Sequence, residues 1–378
     1  MQNTAPPQKV RLQWVDSVRG MAILWIVFFH AFIAYGGRYP WLRSFSSLPP
    51  FIEKCAPNSL LQKFSCAIEA VLAGLFQQGA QGVAVFLLFS GFGLTYSLVK
   101  KGGEPSWKKW YGNRLIRVFP LYWLAHIVFL FSPFQYDHYP IDYRFILSFF
   151  GDRFYPVAQM FYYLVPAWWF IGLLLQLYLV FPILYRSMMR FGSIRFLVTC
   201  IILTVAARYL IYALLEANDE YVQGAFFVCR LWEFAVGMVF GKLMVDNPSQ
   251  TMKLLFSWKC LIAGFLIYWV GQLGFSPNFL YSLSDGLNAM GLSIIMIHAA
   301  ARIDRVRFLG KAVAFAGTYS YGIYLFHQPY LMSLGRELIP YSMTTFIFLV
   351  LLLTALIAIA SMGLERANDE ISRRYFIR

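Results

Sequence analysis

"DSVRGMAILWIVFFHAF", Asp16 to Phe32, decides how the chain is read. From Gly20 onward it is almost wholly apolar, and with its flanks it has the ~20 residues of a bilayer-crossing helix. It nevertheless opens on Asp16 and Arg19 and carries His30 eleven residues beyond the arginine. On a helix eleven residues make about three full turns and span ~16 Å, so Arg19 and His30 share a face. Asp16, one turn before Arg19, lies on that face and can hold the guanidinium. The stripe is charged at one mouth and titratable at its deep end. Topology anchoring by Arg19 and a helix–helix hydrogen bond from His30 would account for the two residues separately. Ionisable groups inside a membrane are costly and mark functional sites. His30, with Asp16 beside the stripe, is therefore the candidate catalytic set, since a neutral imidazole can take up a proton.

The rest of the chain extends this reading. Its 378 residues are 59% hydrophobic and only 13% charged, a composition outside the range of soluble domains. Apolar runs near 18–36, 79–99, 114–133, 163–187, 194–215, 226–245, 257–274, 281–300, 314–335 and 344–363 predict an all-α polytopic membrane protein of about ten spans. Residues 64–78 fit either an interfacial helix or a longer second helix. The net charge of +14 comes from basic residues in alternate connections, such as Lys100, Lys101, Arg186, Arg190, Arg302 and Arg305. The opposite connections hold Asp137, Asp142, Asp152, Glu216, Asp219 and Glu220. That asymmetry places both termini in the cytoplasm and argues against nucleic acid as the partner. The long connection 37–63, with Arg38, Arg43, Lys54 and Lys63, departs from the pattern. One membrane domain, 1–378, accounts for the chain, with a cytoplasmic segment 1–15 and a basic tail 364–378. No cleavable signal peptide is evident. The five cysteines show no metal spacing, and no metal is expected. Cys55 and Cys66 are either a disulfide or two thiols.

Four further stretches carry polar groups into apolar sequence. In "RLIRVFPLYW", Arg114 and Arg117 lie one turn apart at the expected cytoplasmic start of the third span. Two guanidiniums at a helix N-terminus suit phosphate, although a topology anchor has the same composition. Ser90-Gly91-Phe92 puts a hydroxyl and a close-approach glycine in the second span. "AWWFIGLLLQLYLVFPILYR" carries Trp168 and Trp169, suited to the outer interface or to stacking on a sugar, and the buried polar groups Gln176 and Tyr178. In "SYGIYLFHQPY", Tyr324 and His327 lie near the midplane, just before a kinking Pro329. His126 falls at similar depth, His298 reads as structural, and Arg230 and Glu233 are spaced to pair.

These stretches, in this order and over nearly the whole chain, resemble the acyltransferase-3 family of integral membrane O-acyltransferases, which includes the O-acylases of bacterial surface glycans. The carriers are Asp16, Arg19, Gly20 and His30; Ser90-Gly91-Phe92; Arg114 and Arg117 followed by Pro120, Tyr122 and Trp123; and Tyr324 with His327. The resemblance implies a ten-helix core using cytoplasmic acyl-CoA, usually acetyl-CoA, as donor substrate. It implies that Arg19, Arg114 and Arg117, with Ser90, bind the donor and that His30 is catalytic. Trp168, Trp169, Gln176, Tyr324 and His327 are the candidate acceptor-binding residues. Many relatives have Glu where this chain has Gln176, and many carry an extracytoplasmic hydrolase-like domain that this chain lacks.

On this reading the protein moves an acyl group to a hydroxyl of a glycan or glycolipid, working in the bilayer of a bacterial inner membrane, as a monomer or homo-oligomer. His30 acts either as base or as an acyl-carrying nucleophile. The alternatives are a proton-coupled transporter of an anionic metabolite or lipid-linked sugar, with His30 and His327 as relays, and a catalytically silent binding module.

Overall fold

The computed structural model describes residues 12–36, 60–103, 105–132, 141–217, 219–273 and 280–375, with side chains from 62 to 370 in the segments after the first. Several expectations lie outside the described residues: the N-terminal segment up to residue 11, most of the 37–63 connection with Arg38, Arg43, Lys54 and Cys55, Asp137, and the side chains of the basic tail beyond residue 370.

Among the described residues every regular element is helical. The principal helices are α1 (Gln13–Tyr35), α2 (Leu60–Gln77), α3 (Gly82–Lys101), α4 (Trp107–Leu130), α5 (Tyr143–Phe149), α6 (Trp169–Phe191), α7 (Ser193–Tyr209), α8 (Leu231–Asp246), α9 (Pro248–Leu255), α10 (Trp258–Gln272), α11 (Tyr281–Ile303), α12 (Arg307–Thr318), α13 (Ser320–Glu337) and α14 (Met343–Tyr375). Large apolar side chains such as Leu179, Ile183, Phe265 and Phe348 remain more than half exposed. A surface of that kind belongs in lipid.

Among the described residues six stretches can cross a membrane by length and apolarity: Gln13–Tyr35, Gln62–Lys101, Pro166–Phe191, Ser193–Leu214, Tyr281–Ile303 and Met343–Glu370. A seventh is counted if α9 and α10, bent by 64°, form one span. The other predicted spans differ for local reasons. The third, α4, carries Lys108, Lys109, Arg114, Arg117 and Pro120, so it is long enough but too polar. The sixth, α8, has 16 residues and begins after a 3-10 turn at Phe227–Arg230. The ninth is divided at Tyr319 into α12 and α13. Residues 64–78 belong to the longer second helix, interrupted by a 3-10 turn at Gln78–Gln81.

Close crossings hold the bundle. A Cβ on Gly91 of α3 would strike the Phe234 carbonyl of α8, and one on Gly20 of α1 would strike the Val313 carbonyl of α12. Small residues that let backbones touch are the usual means of packing helices where lipid competes for apolar surface. Aromatic packing joins the C-terminal end of α1 to α14, with Tyr35 stacked on Phe346 at 4.2 Å between ring centroids.

The expected Arg230–Glu233 pair is present at 2.8 Å. It is part of a larger network, because Asp285 on α11 takes both Arg230 and Arg208 at 2.6 Å each. Arg208 and Asp285 are lone ionisable residues in apolar stretches, which was the available signal for them. Cys66 is in a disulfide, and Cys200, Cys229 and Cys260 are free thiols.

Candidate active site

A cavity of about 430 Å³ opens among α1, α3, α4, α6 and α13. Arg19, Ser90, Arg114, Arg117, Tyr178 and Tyr324 all contribute to its wall. All four residues of the predicted donor set, Arg19, Ser90, Arg114 and Arg117, thus meet from three separate stretches, and Tyr324 of the acceptor set joins them.

Arg19 donates from Nη2 to the Phe89 carbonyl at 3.2 Å, in the space left open by Gly93. Ser90 donates to the Phe86 carbonyl at 2.8 Å. Arg114 lies beside the Trp110 ring, Cζ 5.6 Å from its centroid, and its Nε is buried without a hydrogen-bond partner among the described residues. Neither Arg114 nor Arg117 forms a salt bridge with a described carboxylate. Glu365, the acidic neighbour of Arg117, accepts the Gly322 amide at 3.0 Å. Two guanidiniums that border a cavity and pair with no described carboxylate suit an anionic ligand.

One expectation about these arginines needs correcting. The helix that bears them starts at Trp107, two turns before Arg114. Helix-terminal N–H groups therefore do not assist Arg114 and Arg117, whose guanidiniums act alone. The helix start that does border the cavity is that of α13, through Ser320 and Tyr321.

On α1 the cavity wall runs from Arg19 to Ile26, and His30 follows one turn deeper. On α13 it reaches Tyr324, and His327 follows one turn on. The two histidines meet there, His30 Nδ1 and His327 Nε2 being 3.0 Å apart. Their protons can be assigned from the surrounding acceptors. His327 Nδ1 faces only carbonyls, Tyr324 at 2.8 Å and Ile323 at 3.1 Å, so it carries the hydrogen. Its Nε2 is then an acceptor. His30 Nδ1 faces the Ile26 carbonyl at 3.0 Å and this acceptor, so it too carries the hydrogen. That leaves the lone pair of His30 on Nε2, which has no hydrogen-bond partner among the described residues. His327 is fully buried, whereas His30 is partly exposed. Each position's depth was legible in the sequence, but their contact was not.

Other candidates lie elsewhere. The Asp16 side chain is not part of the cavity wall, and its carbonyl abuts Gly317. Gln176 is held at both ends of its amide by backbone, donating to the Ala225 carbonyl at 2.9 Å and accepting from Phe227 N–H at 3.2 Å. It braces the irregular 221–230 segment instead of facing the cavity. Trp168 and Trp169 point into the protein interior, Trp169 stacked on Phe161. Tyr324 donates its hydroxyl to the Ala167 carbonyl. His126 belongs to a closed cluster: it donates to the Tyr122 carbonyl and accepts from Ser148, each at 2.9 Å. The buried Arg153 completes that cluster through Ser148 Oγ, the Tyr122 hydroxyl and the Met160 and Tyr163 carbonyls. His298 donates to the Leu255 carbonyl, consistent with a structural role. Among the described residues no three His, Cys, Asp or Glu side chains are grouped to hold a metal.

Comparison with known proteins matches residues 12–364 to the acyltransferase-3 family, described as an acyltransferase domain. A protein of Acidianus two-tailed virus that bears the provisional name acetyltransferase is 25% identical over 298 residues, covering 78% of this chain and 82% of the viral protein. No solved structure matches the chain. The chain belongs to the acyltransferase-3 family, and its apolar helices make it an integral membrane protein.

Proposed function

We propose that this member of the acyltransferase-3 family moves an acyl group, most readily acetyl, from cytoplasmic acyl-CoA to a hydroxyl of a glycan or glycolipid presented from the extracytoplasmic side. The observation that carries the reading is the alignment of an arginine-lined cavity with a histidine whose open nitrogen lies one turn beyond it. The donor's phosphates sit against Arg114, Arg117 and Arg19 at the mouth. Its pantetheine arm runs past Ser90 and Tyr178 toward Ile26, over a span comparable to the ~16 Å between Arg19 and His30.

In the reaction His30 Nε2 takes the proton of the acceptor hydroxyl as that oxygen attacks the thioester carbonyl. The C–S bond breaks, the acyl group stays on the acceptor oxygen, and the thiolate of CoA regains the proton from His30. While His30 carries the extra proton, its Nδ1–H points at the His327 lone pair, which steadies the imidazolium.

The topology in this reading has ten crossings and cytoplasmic termini, α4, α8 and the α12–α13 pair completing the count. The alternating basic connections support it. So does the Cys66 disulfide, a bond that persists in oxidising compartments and so favours the extracytoplasmic side for that end of α2.

The test is release of free CoA from acetyl-CoA by purified protein in proteoliposomes supplied with a cell-envelope glycan extract. Wild type is expected to release CoA only with extract, and His30→Ala to bind acetyl-CoA without releasing it. A folded wild-type protein that neither binds acetyl-CoA nor releases CoA, but carries an anionic sugar across the vesicle, would overturn the reading.

A further inference from the structure

Pro329 lies inside α13, two residues beyond His327. Proline has no N–H, so the carbonyl four residues earlier, that of Leu325, loses its helical partner. In a membrane an unpaired carbonyl is costly unless another donor reaches it. Trp168 supplies that donor: its Nε1 lies 3.0 Å from the Leu325 oxygen. Two more bonds join the same short segment, Pro166–Trp168, to the same turn of α13. The Ala167 amide donates to Gln328 Oε1 at 2.5 Å, and the Tyr324 hydroxyl donates to the Ala167 carbonyl. The three attachments fall at 324, 325 and 328, on both sides of His327.

The segment is itself anchored. Trp168 is 1% exposed and packs against the rings of Tyr122, His126 and Phe129 on α4. The preceding residues are tied down by the buried Arg153, which holds the Tyr163 carbonyl at 2.5 Å and the Ser148 hydroxyl at 2.8 Å. A continuous set of bonds thus runs from α4 and α5 through 160–168 to the proline-containing turn of α13. From there it reaches His327 Nε2 and His30 Nδ1.

We infer that Trp168 is a positioning residue: its indole N–H, filling the carbonyl that Pro329 leaves open, holds the proline-containing turn of α13 so that His327 keeps the hydrogen bond that orients His30. The assignment rests on the reading of His30 and His327 as the reacting pair. It gives Trp168 a role other than stacking on an acceptor. It also gives Pro329 a purpose, since a helix with an amide at 329 would satisfy Leu325 internally and have no need of the indole.

The pairing supplies its own test. Trp168→Phe keeps a ring and removes the N–H. Pro329→Ala restores an amide that can pair with the Leu325 carbonyl. The double variant therefore satisfies the carbonyl again without the indole's tie to that turn. Thermal stability is expected to fall in Trp168→Phe and to recover in the double variant. CoA release is expected to fall roughly ten- to a hundredfold in kcat in both, as misplaced catalytic groups do, with KM for acetyl-CoA changed less than about twofold. Recovery of kcat along with stability in the double variant would reduce Trp168 to a structural donor and overturn the inference. So would undiminished kcat in Trp168→Phe.

A second readout does not depend on turnover. In protein with nitrogen-15-labelled histidine, the proton between His30 and His327 should give a downfield imidazole signal that is lost in His327→Phe. The same signal should be lost or shifted in Trp168→Phe and in the double variant. Its persistence in both would overturn the inference even if wild type proved to have no acyltransferase activity, an outcome that would separately sink the proposed function.

Discussion

Two pairs of arginines enter the membrane domain, and they are treated in opposite ways. Arg208 and Arg230 share Asp285, and Arg230 also takes Glu233, so two positive charges meet two negative ones. Arg114 and Arg117 border a cavity and form no salt bridge with any described carboxylate. The first pair is a closed account of charge that ties α7, α8 and α11 together. The second is open, and an anion can close it. The same residue type is therefore structural or ligand-binding according to whether the fold has already supplied its counter-charge.

Breaking the closed network should have the largest effect. Asp285→Ala leaves two arginines facing each other and should cost about 3 kcal/mol of stability, at the low end for a buried pair because a third of the Asp285 side chain is exposed. Thermal unfolding in detergent measures this, and acetyl-CoA binding per folded molecule should be little changed. Equal loss of binding would blur the contrast between the two pairs.

The open pair should behave in reverse. Arg114→Ala should leave unfolding unchanged or slightly raised while weakening acetyl-CoA binding by about 1.5–3 kcal/mol, the worth of a hydrogen bond to a charged group. Added salt should narrow the difference from wild type. A large stability loss with binding intact would make Arg114 structural too.

Gln176 tests a third treatment, in which a polar side chain is spent on backbone. Gln176→Glu restores the acid common in relatives but removes the donor to the Ala225 carbonyl. It should destabilise by roughly 1–3 kcal/mol and bring no gain in turnover. A gain would mean that this position reaches the reacting atoms.

The smallest effect is expected at Asp142, outside the spans, which caps α5 by accepting the Arg144 amide and pairs with its guanidinium. The hydrogen bond from Arg144 holds the Asp142 carboxyl below its ordinary range. Its contribution is therefore fully present above the ordinary Asp value of 3.8 and fades as pH falls through the lower folded value. Asp142→Asn should shift unfolding slightly at neutral pH and not at all in strong acid.

The opening stretch shows what kind of information was legible. Helical period put Arg19 and His30 on one face, and the cavity wall does run from Arg19 through Ile26 toward His30. Asp16 obeys the same period but is not in that wall, because the face also meets α12, where the Asp16 carbonyl abuts Gly317. Hydropathy marked the apolar part of α4 from Arg114 onward but missed its start, because the helix continues back through polar residues to Trp107.

Sequence alone determined the all-helical membrane character, the family signature, the one-turn spacing of Arg114 and Arg117, and the similar depth of His30 and His327. These follow from composition and from distances along one helix, which covalent geometry sets. Only the tertiary structure decided that the histidines touch, that Arg114 pairs with no described carboxylate while Arg208 pairs with Asp285, and that Trp168 serves a carbonyl freed by a proline 161 positions away. Each of those depends on which helices are neighbours, and a helix's own period carries no record of its neighbours.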